Sequence, residues 1–367
     1  MCTESTHAHR PVSGFAPRPD PDFEFADPLT LEPVDAVTLT TLVDNKIDLL
    51  LPDQGPVRRA GLLAAANAPR LTTSVLDTGE TYDVPLAQHG FAMLVTVTRA
   101  GTDHHLLFDA GMTPDGLVDN MRRLGLSPAD IEVVVLSHGH SDHVTGLDGL
   151  IRAVPTADLP LVVNPGVWTK RRIAIPGILE LELPAPSRRA LSDAGLDIIE
   201  RQHPSLVFDG SVLITGEVDR TTDFEHGMPF HEALAEGTWG PDPLILDDQA
   251  LVVDVAGHGL VVLTGCGHAG IVNIVRYARR LTGVSKVAAV VGGFHLSGPA
   301  FEPVIDSTVA ALAELQPEVV LPAHCTGWRA NYALAARLPD AYIPNSVGSR
   351  LELRADPSPE VFPAAVG

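Results

Sequence analysis

Cysteine is scarce in this 367-residue chain: Cys2, Cys266 and Cys325 are all it has. That excludes a disulfide framework. Cys266 and Cys325 each stand close to a histidine in sequence, which favours a role at a site over a bridge. Long apolar runs are missing too. None reaches the ~18 residues that a membrane-spanning helix needs. The first residues, M-C-T-E-S-T-H-A-H-R-P, lack the apolar segment of a secretory signal. Basic residues are outnumbered: 25 Lys plus Arg stand against 46 Asp plus Glu, a formal net charge of -21. A surface this acidic repels phosphate backbones and speaks against a nucleic-acid partner. It does not exclude a small anionic substrate, because a bound metal can dominate the local field. There is no G-x-S-x-G elbow for a serine hydrolase and no G-x-G-x-x-G loop for a dinucleotide. These absences predict a cytoplasmic protein with a small-molecule substrate, no nucleic acid and no membrane. They leave the oligomeric state open.

Hydrophobic residues make up 45% of the chain and charged residues 19%, enough for a sizeable core. Residues 1–33, rich in Pro, Asp and His, read as an irregular N-terminal extension. His7 and His9 form an H-x-H there, read as part of a solvated tail. Residues 34–367 read as one domain, because no linker divides them. A Pro-rich stretch at about 165–205 reads as an insertion over one edge or mouth.

Within that domain strands and helices alternate. Residues 91–98 and 105–109 are expected to pair around the turn A-G-T-D. Thr113 and Pro114 offer an N-cap and first position for a helix through Arg123. I-E-V-V-V-L-S (131–137) is β-branched and reads as a buried strand. Further strands are expected at Leu161–Val163, Val212–Thr215, Ala250–Val255, Leu260–Thr264, Val287–Val291 and Val319–Leu321. Helices are expected at 271–283, ending on basic residues and Gly283, and at 303–315.

S-H-G-H-S-D-H, Ser137 to His143, follows one of these buried strands directly. Imidazole and carboxylate are the usual ligands of zinc and other borderline divalent metals. His138 and His140 are two apart, so an extended segment can aim both at one cation. Asp142 and His143 can aim at a second. Two such cations would hold a bridging hydroxide, a nucleophile available at neutral pH. So dense a cluster is a ligand signature, not loop solvation.

The stretch resembles the H-x-H-x-D-H motif of the metallo-β-lactamase fold superfamily. L-L-F-D-A-G (106–111) resembles that superfamily's first motif. T-G-C-G-H-A-G-I-V-N (264–273), G-G-F-H-L (292–296), P-A-H-C-T-G (322–327), T-G-E-V-D-R (215–220) with T-T-D-F-E, and D-D-Q-A-L-V (247–252) look like its dihydropterin–ribofuranosylaminobenzene phosphate synthase-like branch. The resemblance runs from about Val37 to Trp328. It implies an α/β fold, an αββα sandwich with the metal site at one edge of the sheets.

It also implies roles. His138 and His140 match the pair on the first metal; Asp142, His143 and His324 match the second. Asp109 would support the ligand loop without touching metal. Where the superfamily commonly has T-G-D, this chain has T-G-C, so Cys266 is either a thiolate ligand or a small buried residue. His268 is the preferred histidine to complete the first metal, with His203, His226, His231 and His258 as alternatives. His258 reads as a hairpin-turn residue. His295 is a candidate substrate contact or proton donor, and Glu217 and Arg220 are candidate substrate contacts.

The activity so implied is a metal-dependent hydrolase with two divalent ions, Zn2+ first and Mn2+ or Fe2+ as alternatives. Its substrate would be a small ester, lactone or phosphate-containing molecule, with Asp142 holding the nucleophile. One alternative is a synthase that joins a pterin to a ribofuranosylaminobenzene phosphate. Another is a protein that binds metal and ligand without turnover. A redox di-iron role is disfavoured, since those relatives resemble H-x-E-x-D and position 140 is histidine.

Overall fold

The computed structural model describes residues 28–61, 66 and 68–355. Most of the expected N-terminal extension, with Cys2, His7 and His9, lies outside the described residues. Its last residues pack on the body: Leu29 N donates to Leu281 O, Glu32 N donates to Gly210 O, and Leu31 is buried.

Two large sheets form the centre. One has eight strands in the spatial order Leu196–Glu200, Leu159–Val163, Val133–Val135, Thr102–Phe108, Ala92–Arg99, Ala36–Val43, Arg350–Arg354 and Val57–Arg58. The other has six, in the order Ser205–Val207, Val212–Ile214, Ala250–Val255, Gly259–Thr264, Val287–Gly293 and Val319–Ala323. Successive side chains on a strand point to opposite faces, and here both faces are apolar. Met93, Val95 and Val97 enter the same core as Leu251, Val253, Val261 and Leu263, so the two sheets pack face to face. Leu94 and Leu107 turn the other way, onto the helices Gly116–Arg123 and Leu147–Ala153. Val252 and Val262 turn onto Ile271–Thr282, Ile305–Leu315 and Trp328–Arg337. The result is an αββα sandwich of the metallo-β-lactamase type, as the motifs imply.

The expected strands and the helices 271–283 and 303–315 are found with bounds shifted by a few residues. The helix expected to start at Thr113 starts at Gly116, with Asp115 at the cap. Thr113 is diverted: its N–H donates to Gln88 Oε1 at 2.9 Å. The stretch 165–205 is divided between sheets. Arg171–Ile175 and Leu179–Leu183 pair with His231–Ala235 and Thr238–Pro241 in a separate four-stranded sheet, whereas Leu196–Glu200 extends the eight-stranded one.

Strands Thr102–Phe108, Val133–Val135 and Leu159–Val163 run parallel, and so do Gly259–Thr264, Val287–Gly293 and Val319–Ala323. Their C-terminal ends therefore gather at one edge. Asp109, His138, Cys266, His295 and His324 all lie just past such an end. Among the described residues no helix is long and apolar enough to cross a membrane.

Candidate metal centre

The S-H-G-H-S-D-H loop leaves its strand tied to Asp109. The Asp109 carboxylate accepts from Ser137 N and Ser137 Oγ, both at 2.7 Å, and from His143 Nδ1 at 2.7 Å. Ser137 Oγ spends its only proton on Asp109, so at 2.8 Å it accepts from His138 Nδ1. That fixes the tautomer: His138 Nε2 is a bare lone pair. Within reach of it are His140 Nδ1 at 3.0 Å and His268 Nε2 at 3.2 Å. Three imidazole nitrogens thus converge on one point. Burial and neighbouring positive charge push all three histidines well below the ordinary imidazole pKa, into the neutral form that binds metals.

A second group adjoins the first. The proton on His143 Nδ1 goes to Asp109, so Nε2 faces Cys266 Sγ at 3.2 Å and Asp142 Oδ2 at 3.7 Å. His324 Nδ1 meets Asn45 Oδ1 at 3.1 Å, which turns its Nε2 onto Asp142 Oδ2 at 3.2 Å. Burial opposes a charge on His143, yet Asp142 and Asp109 together hold its pKa up at about 9. Burial also works against the Asp142 anion, but His143 and His324 keep it well below the usual carboxylate range. A cavity that stabilises an imidazolium between two carboxylates also suits a divalent cation. Burial raises the Cys266 thiol, so without a cation beside it the sulfur keeps its proton. The donor set fits metal: among the described residues five overlapping triads bring potential ligand atoms together, His138 with His140 and His268, His138 with His143 and Cys266, Cys266 with His268 and His295, Cys266 with His324 and Cys325, and His89 with Asp142 and His324.

Close approach demands glycine at two points. A Cβ on Gly265 would strike Ser137 Oγ and Asp109 Oδ2, and one on Gly139 would strike the Val167 carbonyl. T-G-C and H-G-H are therefore spacing devices as well as ligand carriers. Asp109, His295 and His324 adopt left-handed backbone at φ of 60°, 42° and 47°. Such backbone is costly for non-glycine residues and gathers at functional sites.

D-D-Q (247–249) supports both ligand loops. Asp247 Oδ2 accepts from Gly139 N at 2.9 Å and binds the buried Arg171. Asp248 Oδ2 accepts from Ala269 N at 2.9 Å, next to His268. Gln249 donates from N to Ser137 O and from Nε2 to Leu136 O. Glu225, in T-T-D-F-E, accepts from Val272 N and Asn273 N, both at 2.9 Å, and so caps the helix that follows His268.

Two expected substrate contacts are engaged elsewhere. Arg220 donates to the carbonyls of His268 and Leu244, so it braces the His268 backbone instead of presenting its fork to a cavity. Glu217 accepts from Gln202 Nε2 at 3.1 Å and is not among the residues that line the cavity beside His268. His295 is placed there: its ring centroid is 4.4 Å from that of His268, and its buried Nδ1 has no hydrogen-bond partner. That cavity holds about 220 Å³ and is walled by Phe224, Met228, Phe294 and Phe301, with His226 at its lining.

Of the other histidines weighed for the first metal, His203, His226, His231 and His258 belong to no potential ligand group among the described residues. His258 occupies the turn between Ala250–Val255 and Gly259–Thr264. His231 nevertheless sits at the site, its ring 5.0 Å from that of His140, with burial and Arg171 lowering its pKa to about 4. His89 was not singled out from the sequence. Its Nε2 lies 3.4 Å from Asp142 Oδ2, and Q-H-G, a histidine beside a glycine ahead of a strand, was the available signal.

Residues 87–280 match the family model of the metallo-β-lactamase superfamily, and the chain belongs to that superfamily. It is 28% identical over 260 residues to the 7,8-dihydropterin-6-methyl-4-(beta-D-ribofuranosyl)-aminobenzene-5'-phosphate synthase of Methanocaldococcus jannaschii, covering 68% of this chain and 85% of that protein. An uncharacterized protein of the same organism, MJ0448, is 30% identical over 254 residues, covering 66% of this chain and 86% of that one. Among solved structures, Tm1679, a metal-dependent hydrolase of the β-lactamase superfamily, matches with a TM-score of 0.61 at 23% identity, over 87% of this chain and 99% of that chain. That likeness is one of fold.

Proposed function

We propose that this chain is a metal-dependent hydrolase with two divalent cations, Zn2+ foremost. His138, His140 and His268 would hold one; Asp142, His143, His324 and Cys266 would hold the other. The observation that carries the reading is the bare Nε2 of His138, with His140 Nδ1 and His268 Nε2 at 3.0 and 3.2 Å and no proton shared out among them by any carboxylate. Bound divalent cations supply Lewis acidity and make water acidic enough to ionise near neutral pH.

The chain's own residues would do the rest. Asp142 Oδ2, fixed by His324 and His143, orients the attacking water and stays ionised while doing so. Asp109 keeps His143 turned inward through its Nδ1 proton. His295, left without a partner at Nδ1, is placed to give a proton to the departing oxygen. The Phe- and Met-lined cavity beside His268 takes the apolar part of a small ester, lactone or phosphate-containing substrate and keeps bulk water from it. We place the reaction in the cytoplasm, where both site cysteines stay reduced.

The test combines metal content with turnover. Two equivalents of cation are expected in the purified protein, with hydrolysis of generic phosphodiesters, esters or lactones. Asp142→Ala with His143→Ala should lose at least about a hundredfold in rate, the scale of a lost acid–base group. Activity untouched by chelation would overturn the proposal. Cations without turnover on any of these substrates would favour a binding role.

The named synthase relative and the Phe-lined cavity support a second reading, condensation at the same centre. Incubation with a pterin and a ribofuranosylaminobenzene phosphate, followed by mass detection, distinguishes a joined product from hydrolysis.

A further inference from the structure

A second cavity, of about 520 Å³, opens against the strands Ala36–Val43, Val57–Arg58 and Arg350–Arg354 and the end of the helix Gly116–Arg123. It shares no lining residue with the metal centre or with the cavity beside it. Arg58, Arg59, Arg122, Arg123 and Arg350 line it, and among the described residues no carboxylate does. These are five of the chain's 25 basic residues, gathered in one concavity of a protein whose net charge is -21.

Each of these arginines has an acid nearby, but among the described residues none of those acids lines the cavity. Arg58 and Arg350 are directly opposed in the antiparallel register, and like charges in that position destabilise a sheet. Both side chains are about half exposed, at 52% and 54%. Arg122 and Arg123 share one buried carboxylate, Asp83, at 2.6 Å each, which fixes their direction, and Arg122 also stands 4.0 Å from Asp119. Arg59 is anchored by Pro52 O and Ser349 Oγ, with Asp53 and Asp48 near enough to act on its charge. The nearest acids of Arg58 and Arg350 are Asp53 at 3.9 Å and Glu352 at 3.1 Å, neither on the cavity wall. Val84, Leu124 and Leu126 also line the cavity.

We propose that this cavity is a binding site for a phosphorylated small molecule, separate from the metal centre. Guanidinium forks match phosphate oxygens two at a time, which a scatter of lysines would not do. The volume suits a small metabolite and is too confined for a nucleic-acid duplex. The aliphatic side chains of the lining accommodate the apolar part of such a molecule.

Inorganic pyrophosphate is the probe, titrated calorimetrically into the full, metal-loaded chain at about 0.15 M salt, where only close charge contacts survive screening. Saturable binding is expected. Arg58→Gln with Arg350→Gln should weaken it about tenfold or more, as loss of two charge-assisted contacts implies. The same variant should keep its hydrolytic rate and melt no lower than the parent, because a like-charge pair is removed. His138→Ala with His140→Ala, which dismantles the metal centre, should leave the binding in place. Absence of saturable binding, equal affinity in the arginine variant, or loss in the histidine variant would each overturn the proposal. The last outcome would place the pyrophosphate at the metals, and so separates this site from the hydrolase reading.

Discussion

Asp109 and His143 are joined at 2.7 Å, carboxylate to Nδ1, with both side chains fully buried. The same carboxylate reaches His138 through Ser137 Oγ. One residue that itself faces no ligand cluster thus sets the orientation of an imidazole in each of the two groups.

Replacing it should therefore disturb both. In Asp109→Asn the amide oxygen can serve only part of this network, and its NH2 meets donors. Metal affinity should fall by about 10–100-fold, the usual scale for a lost outer partner of a ligand histidine. Competition with a chromophoric chelator measures it. Unchanged metal retention would separate Asp109 from the metal centre.

Cys266 makes a spectroscopic prediction. Cobalt-loaded protein should show a sulfur-to-metal charge-transfer band in the near ultraviolet, because the thiol lies 3.2 Å from His143 Nε2. Cys266→Ser should remove the band and weaken one cation more than the other. If the band persists in the variant, Cys266 is a buried neighbour and no ligand.

His295→Gln should lower kcat with little effect on KM, since the ring stands against His268 and Phe301 in the wall of the cavity. The loss should be larger for substrates with poor leaving groups, on the order of 10–100-fold. An equal loss for good and poor leaving groups would remove His295 from proton transfer.

Asp248 predicts a pH dependence in metal-free protein. Burial raises its pKa from the ordinary 3.8 to about 7. Between those values the folded chain holds a proton that the unfolded chain has released. Stability from this group is therefore full below 3.8, declines as pH rises, and is gone above about 7. Asp248→Asn should flatten that part of the curve in urea titrations run across the window. Parallel curves for the two proteins would contradict the shift.

Much of the architecture was legible from local pattern. Runs such as E-V-V-V-L and L-V-V-D-V bury both faces and can do little else but form strands between layers. The helix Ile271–Thr282 ends at Gly283, whose backbone is left-handed as its place in the sequence predicts. The convergence of His138 and His140 was also local, two residues apart on one extended turn.

Other side chains have partners that the sequence did not suggest, for a physical reason. Arg220 looks available for an anion in T-G-E-V-D-R, but its destination, the carbonyl of His268, is 48 residues further along the chain. His231 lies in a loop by its Gly and Pro neighbours, yet pairs as a strand and reaches the ring of His140. Glu225 shows no sign in sequence of the helix N-terminus it caps. Each partner is chosen by how the sheets and loops pack, and no spacing encodes that.

The sequence by itself determined the fold class, the ligand-dense loop and the glycines that let T-G-C and H-G-H pass close to their neighbours, because each depends on residue type within a few positions. The tertiary structure alone decided which nitrogen of His138 is bare, which carboxylates stand beside His143, and that five arginines meet in one cavity. Those facts depend on strands brought into parallel register from distant parts of the chain, and only their packing sets the distances.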